Sequence, residues 1–391
     1  MIEQRGYSMR QYGEMITAEP RMSVYAEALR RAITPGCTVI EIGSGFGVFA
    51  MLACRYGAGR VIAIEPDPSV ELIMPMARAN GCADRITVVR GLSTAYVPQE
   101  KADVLISDLR GGIPLFQDHI ATIVDARARL LKPGGHQLPQ RDTIRLALAR
   151  APKAYARAQQ PWQSNRFDLD LGLGRPFVVN EPMRSALGPR AMLSQPQTLA
   201  VLDYRTITEP DLDSTVELVA DRPALAHGLQ MWFDAEIADG LTFSNAPGEP
   251  PLVYGRTFLP FEQPVRLIPG DRAVVRIRAR LFGGQYVMFW NSTIIDGATG
   301  TIRQSFVQSE LKSRVLSPRA LAPYAADHVP QANTALALDR DCLGLVDDKR
   351  SLADIAREVM ARHPDRFASE SEATGYVGRV LRQYTEASGE G

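Results

Sequence analysis

Three glycines and two carboxylates carry the chemistry that this sequence can do. The stretch VIEIGSGFGVFA runs from an apolar strand pattern into a turn at Gly43, Gly45 and Gly47, and then into a helical pattern. Glycine is needed where backbone turns tightly and a ligand must come close. A second apolar run, RVIAIE, ends at Glu65. A carboxylate at such a strand end can accept hydrogen bonds from both hydroxyls of a ribose, a geometry shared with nicotinamide sites, so Glu65 indicates a nucleoside without choosing among them. The choice comes from two further features. The glycines are spaced GxGxG rather than GxGxxG, and Glu41 stands just before the first of them. A carboxylate there would clash with a pyrophosphate and suits a cationic ligand, such as a sulfonium beside an α-ammonium.

These residues need strand tips to hold them, and the surrounding pattern supplies strands. TVIEIG, RVIAIE, RITVVRG and ADVLISD read as strands. GVFAMLACRYG, SVELIMPMARANG and HIATIVDARARLL read as helices, the last ended by KPGG. Short apolar strands alternating with helices predict a parallel, helix-covered sheet over residues 26–144, preceded by a helical lead-in at 1–25, with a helix from Tyr25 to Pro35-Gly36. After about Gln140 the pattern becomes β-rich, as in TIRLALARA, LQMWFDAEI and AVVRIRARLF, which predicts a barrel or sandwich over 145–316. A Pro-, Gly- and Arg-rich excursion interrupts it at about 160–194. Residues 317–391 return to helical signals, with Ser351 as an N-cap before Leu352, Ile355, Val359 and Met360 on one face.

Length and composition bound the rest. With 391 residues, 45% hydrophobic and 23% charged, the chain has material for two or three packed domains. A net charge of zero argues against a broad basic surface for nucleic acid. Lys101, Lys132, Lys153, Lys312 and Lys349 are the only lysines, an arginine bias that indicates a GC-rich, bacterial genome. Cys37, Cys54, Cys82 and Cys342 form no CxxC pair and read as buried thiols, with no metal or disulfide role. No basic-then-apolar leader opens the chain and no apolar run nears ~20 residues, which leads us to expect a cytoplasmic protein without a membrane span.

Taken as an ordered set, VIEIGSGFG, RVIAIE, RITVVRGLST, ADVLISD and ARARLLKPGG resemble the motifs of class I S-adenosylmethionine (SAM) dependent methyltransferases over residues 36–140. The resemblance implies a Rossmann-like domain that binds SAM. Glu65 would hold the ribose, Gly43 to Gly47 would lie under the methionine part, and Ser93 or Thr94 would sit near the adenine. Over residues 7–295, the order YGEMITAEPRMSVYAEAL, cofactor motifs, LISDLRGGIPLFQDHI and then AHGLQMWFDAEI with APGEPPLVYGRTF resembles the protein arginine methyltransferases. That layout implies a β-barrel after the SAM domain, with the 160–194 excursion as an arm that makes a head-to-tail homodimer. It also implies that Arg21 clamps the SAM carboxylate and that Met15 packs near the methyl group.

The departures concern the acceptor. Arginine methylation in that family holds the guanidinium between two glutamates on a hairpin loop. Here SDLRGGIPLFQ puts Asp108 and Gln117 at those places, one carboxylate shorter and one uncharged. Losing a buried carboxylate beside a guanidinium costs on the order of 3–5 kcal/mol. Asp118 could substitute through a register shift. The family's Thr-His-Trp stretch becomes Leu252-Val253-Tyr254, and the aspartate partnering its histidine becomes Ala18. His119, on the same loop, is a replacement candidate for taking a proton. Arg110 could pair with Asp108 or meet an acidic acceptor. The C-terminal segment resembles PqqD-like or winged-helix peptide-recognition modules, which implies a ribosomally made peptide as acceptor. The sequence therefore reads as a methyltransferase acting on a peptide or protein, with Asp108, Gln117 and His119 as candidate catalytic residues. A small-molecule O- or N-methyltransferase and a SAM-binding pseudoenzyme scaffold are its rivals.

Overall fold

The structure is a computed structural model that describes residues 7–382 and 384–385. The chain divides into two compact units, Met1–Val315 and Leu316–Gly391.

The first unit begins with α1 (Met9–Ile16), closed by a capping box between Ser8 and Gln11, and α2 (Glu19–Ala32). Helix α2 starts six residues before the point at which the sequence pattern becomes clear, because Pro20 falls in its first turn, where a missing N–H is harmless. A five-stranded parallel sheet follows. Its strands are β1 (Thr38–Ile42), β2 (Arg60–Glu65), β3 (Ile86–Arg90), β4 (Ala102–Ser107) and β5 (Leu131–Leu138), in spatial order β3-β2-β1-β4-β5. Between them run α3 (Val48–Arg55), α4 (Ile73–Ala79) and α5 (His119–Arg129). Central strand β1 is buried along its whole length. Its alternate side chains feed two cores: Val39 packs with Tyr25, Leu29 and Phe49 on one face, and Ile40 and Ile42 pack with Ala126 and Leu130 on the other.

Strand β5 was hidden behind Lys132-Pro133-Gly134-Gly135, which reads as a helix stop. It is an edge strand, and its pairing with β4 shifts between Ala102 and Val104. Proline, which cannot donate to a ladder, is tolerated at such an irregular edge.

The remaining strands are antiparallel. A six-stranded sheet contains β6 (Arg141–Ala149), β7 (Met183–Ser185), β8 (Gln197–Asp203), β10 (Ala224–Ala238), β11 (Leu241–Ser244) and β12 (Arg256–Leu267). A four-stranded sheet contains β9 (Leu212–Val219), β13 (Arg272–Phe282), β14 (Gln285–Ile295) and β15 (Ile302–Ser309). Leu146, Leu148, Leu229 and Met231 of the first share one core with Val275, Ile277, Trp290 and Ile294 of the second, giving a barrel-like body. Between β6 and β8 the chain makes an excursion through α6 (Pro152–Gln163), α7 (Arg175–Val178) and β7.

The second unit holds the short α8 (Pro318–Leu321) and three longer helices, α9 (Thr334–Gly344), α10 (Leu352–Arg362) and α11 (Glu370–Leu381). Ser351 caps α10 through a capping box with Asp354. Leu338, Cys342, Ile355, Val359 and Val377 form its core. All four cysteines are buried free thiols. Among the described residues, no helix is long and apolar enough to cross a membrane.

Candidate functional site

The C-terminal tips of β1, β2 and β4 meet at the glycine turn, which delivers the chain into α3. Gly45 has φ +55, and a Cβ there would lie 2.8 Å from the Tyr12 ring, so both its conformation and its surroundings demand glycine. Tyr12 lies over this turn from α1, its ring edge-on to Phe46 and its hydroxyl 3.0 Å from Ser69 Oγ. Glu65 faces the turn. Its Oε2 accepts the Gly45 N–H at 2.8 Å and its Oε1 accepts the Asp67 N–H at 2.8 Å. Burial pushes the Glu65 carboxyl above its ordinary range, against the pull of those two donors.

Glu41 is more tightly enclosed. Burial pushes its carboxyl up to about 8. Its Oε2, together with Ser44 Oγ and Ser107 Oγ, is buried without a hydrogen bond among the described residues. A buried acceptor without a donor is costly. A carboxylate in that position fits an ammonium or sulfonium. Across the site Arg21, on α2, donates from Nε to Asp108 at 2.6 Å and from Nη1 to the Met15 carbonyl at 3.4 Å. Its Nη2 has no hydrogen bond among the described residues, so one edge of the guanidinium is left for a carboxylate. A buried acid and an arginine with donors to spare match the zwitterionic head of SAM, and Glu65 matches its ribose. Ser93 is buried in a turn after β3, where its carbonyl accepts from Arg129 at 2.8 Å, whereas Thr94 is exposed.

The other side of the site is organised around Asp108. Its Oδ2 accepts from Arg21 and from the Tyr254 hydroxyl at 2.5 Å, and its Oδ1 accepts from Arg110 Nη1 at 2.9 Å. Burial alone would raise the Asp108 carboxyl, but the two guanidinium groups outweigh it and hold it below the ordinary range. Arg110 has no side-chain exposure. It forks onto Asp142 of β6 at 2.7 and 3.0 Å and donates to the Tyr25 hydroxyl at 2.7 Å. Asp142 in turn accepts the Tyr204 hydroxyl at 2.5 Å, and Tyr204 meets His119 Nε2 at 3.0 Å.

The three candidate catalytic residues are thus separated. Asp108 is at the centre. His119 lies at the far end of the Asp142–Tyr204 chain, 1% exposed, with burial driving its ring down to about 3 and Nδ1 unpartnered. Gln117 is exposed with φ +44, and Asp118 beside it is exposed as well. Sequence reasoning missed Tyr25, Asp142 and Tyr204, which come from separate elements and carry no motif. It registered Tyr254 only as the end of a lost motif.

Residues 21–138 match the family model of ribosomal protein L11 methyltransferase (PrmA). The chain is 30% identical over 269 residues to an arginine N(omega)-methyltransferase of Streptomyces achromogenes subsp. streptozoticus, covering 67% of this chain and 74% of that one. It is 28% identical over 234 residues to probable protein arginine N-methyltransferase 6 of Arabidopsis thaliana, where it covers 58% of this chain and only 54% of the relative. Its fold matches that of a Trypanosoma brucei PRMT1 enzyme–prozyme complex with AdoHcy at a TM-score of 0.69 and 22% identity, over 76% of this chain and 97% of that one. Arabidopsis protein arginine methyltransferase 10 gives a TM-score of 0.68 at 19% identity, over 78% and 98%. The extended match to the Streptomyces enzyme places the chain in the arginine methyltransferase family of SAM-dependent methyltransferases.

Proposed function

We infer that the chain binds SAM at the glycine turn and transfers its methyl group to a peptide or protein acceptor presented to Asp108. The observation that carries the cofactor half is the Glu41 carboxyl, buried with one oxygen unpartnered, opposite an Arg21 guanidinium with a free edge. SAM, when bound, supplies an electrophilic methyl group on a positively charged sulfur. The protein's task is then mostly positioning, since an in-line displacement needs the nucleophile about 3 Å from the methyl carbon. Arg21 and Glu41 would fix the two ends of the amino-acid head and Glu65 the ribose. Tyr254 and Arg110 lock Asp108 in place beside them. The AdoHcy in the trypanosomal complex supports the same cofactor for this fold.

Partners follow the same reading. Phe167, Leu169, Leu171 and Leu173 stand exposed within the excursion after β6, with Leu173 89% exposed. Exposed apolar side chains grouped this closely suit an interface, and we assign the excursion to homodimer formation. We assign the C-terminal three-helix unit to recognition of a precursor peptide. The buried free thiols suit a reducing, cytoplasmic setting.

The test is tritiated methyl transfer from SAM to a cell lysate and to peptides encoded beside the gene. Label in polypeptide is expected. Label confined to small molecules would replace the acceptor class, and no label with no SAM binding would remove the enzyme reading altogether.

A further inference from the structure

We propose that Arg110 is a resident guanidinium that sets acceptor specificity: it takes the place beside Asp108 that a cationic acceptor would need, and the site methylates a peptide carboxylate instead. This rests on the methyltransferase reading above.

The hydrogen bonds account for every carboxylate oxygen of Asp108 and Asp142. Both oxygens of Asp108 are taken, by Arg21 and Tyr254 on one side and by Arg110 on the other. Both oxygens of Asp142 are taken by Arg110, with Tyr204 adding to one of them. Gln117 is exposed and uncharged. A third arginine, Arg184 of β7, donates from Nη2 to the Val253 carbonyl at 2.6 Å, one residue from Tyr254. Its field reaches the Tyr7 hydroxyl together with those of Asp108 and Arg21. The carboxylate oxygens of Asp108 and Asp142 are thus already engaged, and Arg184 is the exposed guanidinium beside them. An incoming guanidinium would find no free oxygen on Asp108 or Asp142, whereas an incoming carboxylate would find the exposed Arg184 guanidinium.

Proton transfer gives the same answer by a separate route. A guanidinium or hydroxyl acceptor must lose a proton to become a product. His119 does not touch Asp108: its ring is buried behind Tyr204, and the hydrogen-bond path between the two runs through Tyr204, Asp142 and the Arg110 guanidinium, which stays protonated. Asp108 is engaged by three donors and held in the ionised form by its arginines. A carboxylate needs no base. Its oxygen lone pair forms the new C–O bond as the methyl–sulfur bond breaks and that electron pair stays on sulfur. The products are a neutral methyl ester and a neutral thioether, and no proton moves.

The full-length protein would be given tritiated SAM and one of two probes. One is a peptide with Asp, Glu and a free C-terminus; the other is an arginine peptide with no acidic residue and an amidated C-terminus. Label on the acidic peptide should leave as volatile methanol in mild alkali, as methyl esters do. Calorimetry should show the acidic peptide binding the chain at least tenfold more tightly than the arginine peptide. Arg184→Ala, at an exposed position that leaves the core untouched, should weaken acidic-peptide binding and raise its KM about fivefold with kcat unchanged. Alkali-stable label recovered as methylarginine overturns the carboxylate assignment, and so does SAM binding without alkali-labile label on the acidic peptide. Neither result touches the cofactor reading. Failure of the chain to bind SAM at all overturns both.

Discussion

Replacing Glu41 with glutamine should change the pH dependence of folding in a calculable way. In the unfolded chain a glutamate titrates near 4.5, whereas burial at the end of β1 pushes the folded carboxyl up to about 8. Between those values the folded protein holds a proton that the unfolded chain has released. The native state is therefore favoured most at low pH, and the Glu41 contribution is lost as pH rises towards 8. Each pH unit inside the window is worth about 1.36 kcal/mol, so from pH 5 to pH 7 the contribution falls by about 2.7 kcal/mol. Glu41→Gln removes this titration and leaves every other group in place. The assay is urea unfolding of both proteins at pH 5, 6 and 7, followed by tryptophan fluorescence. Trp162, Trp232 and Trp290 all lie in the first unit, so the signal reports the unit that contains the site. The stability of the variant relative to the parent should rise by about 2.7 kcal/mol across that range. Saturating SAM should flatten the parent's dependence, because a cation beside Glu41 favours its ionised form. Parallel curves for the two proteins, with no change in their difference, would refute the argument that Glu41 is an enclosed acid with one oxygen unpartnered.

Three further outcomes follow from the same geometry. Glu65→Ala should weaken SAM binding about a hundredfold or more, since two charge-assisted hydrogen bonds of roughly 1.5–3 kcal/mol each disappear, and circular dichroism should show the fold retained; calorimetry reads the first. Arg110→Met should destabilise the first unit by roughly 3–5 kcal/mol in urea unfolding, because Asp142 is left buried and unpaired, and Arg110→Met/Asp142→Leu should recover most of that loss. Gln117→Glu should leave SAM affinity within about twofold by calorimetry, since that side chain is exposed and bonds none of the cofactor-facing groups.

The cofactor half of the site was legible because its signals are local. The glycines and Glu41 sit within one strand–turn–helix, and Glu65 ends the next strand, so a one-dimensional pattern carries most of the geometry. The alternation that flagged the parallel sheet and the later antiparallel body is local too. The acceptor half is assembled from afar. Tyr25 comes from α2, Asp108 and Arg110 from the loop after β4, Asp142 from β6, Tyr204 from the end of β8, and Tyr254 from the turn before β12. Arg110 pairing with Asp108, two residues away, was readable. That Asp142 would hold the other edge of the same guanidinium was not, because only the docking of the barrel against the parallel sheet brings it there. His119 shows the limit of residue type as a signal: an imidazole on the right loop turned out to face the core, because the first turn of α5 points it at Tyr204. Strand β5 was lost for a different reason, since Pro133 and the two glycines after it read as punctuation while the fold uses them at a sheet edge.

The chemistry of this site depends most directly on which nucleoside the glycine turn accepts. A calorimetric titration of the full-length protein with SAM and, separately, with NAD decides it. The arrangement of Glu41, Arg21 and Glu65 predicts saturable binding of SAM at one site per chain and none of NAD, which brings no ammonium or sulfonium to the buried Glu41 and no carboxylate to Arg21. Binding of NAD in place of SAM, or of neither, would contradict it.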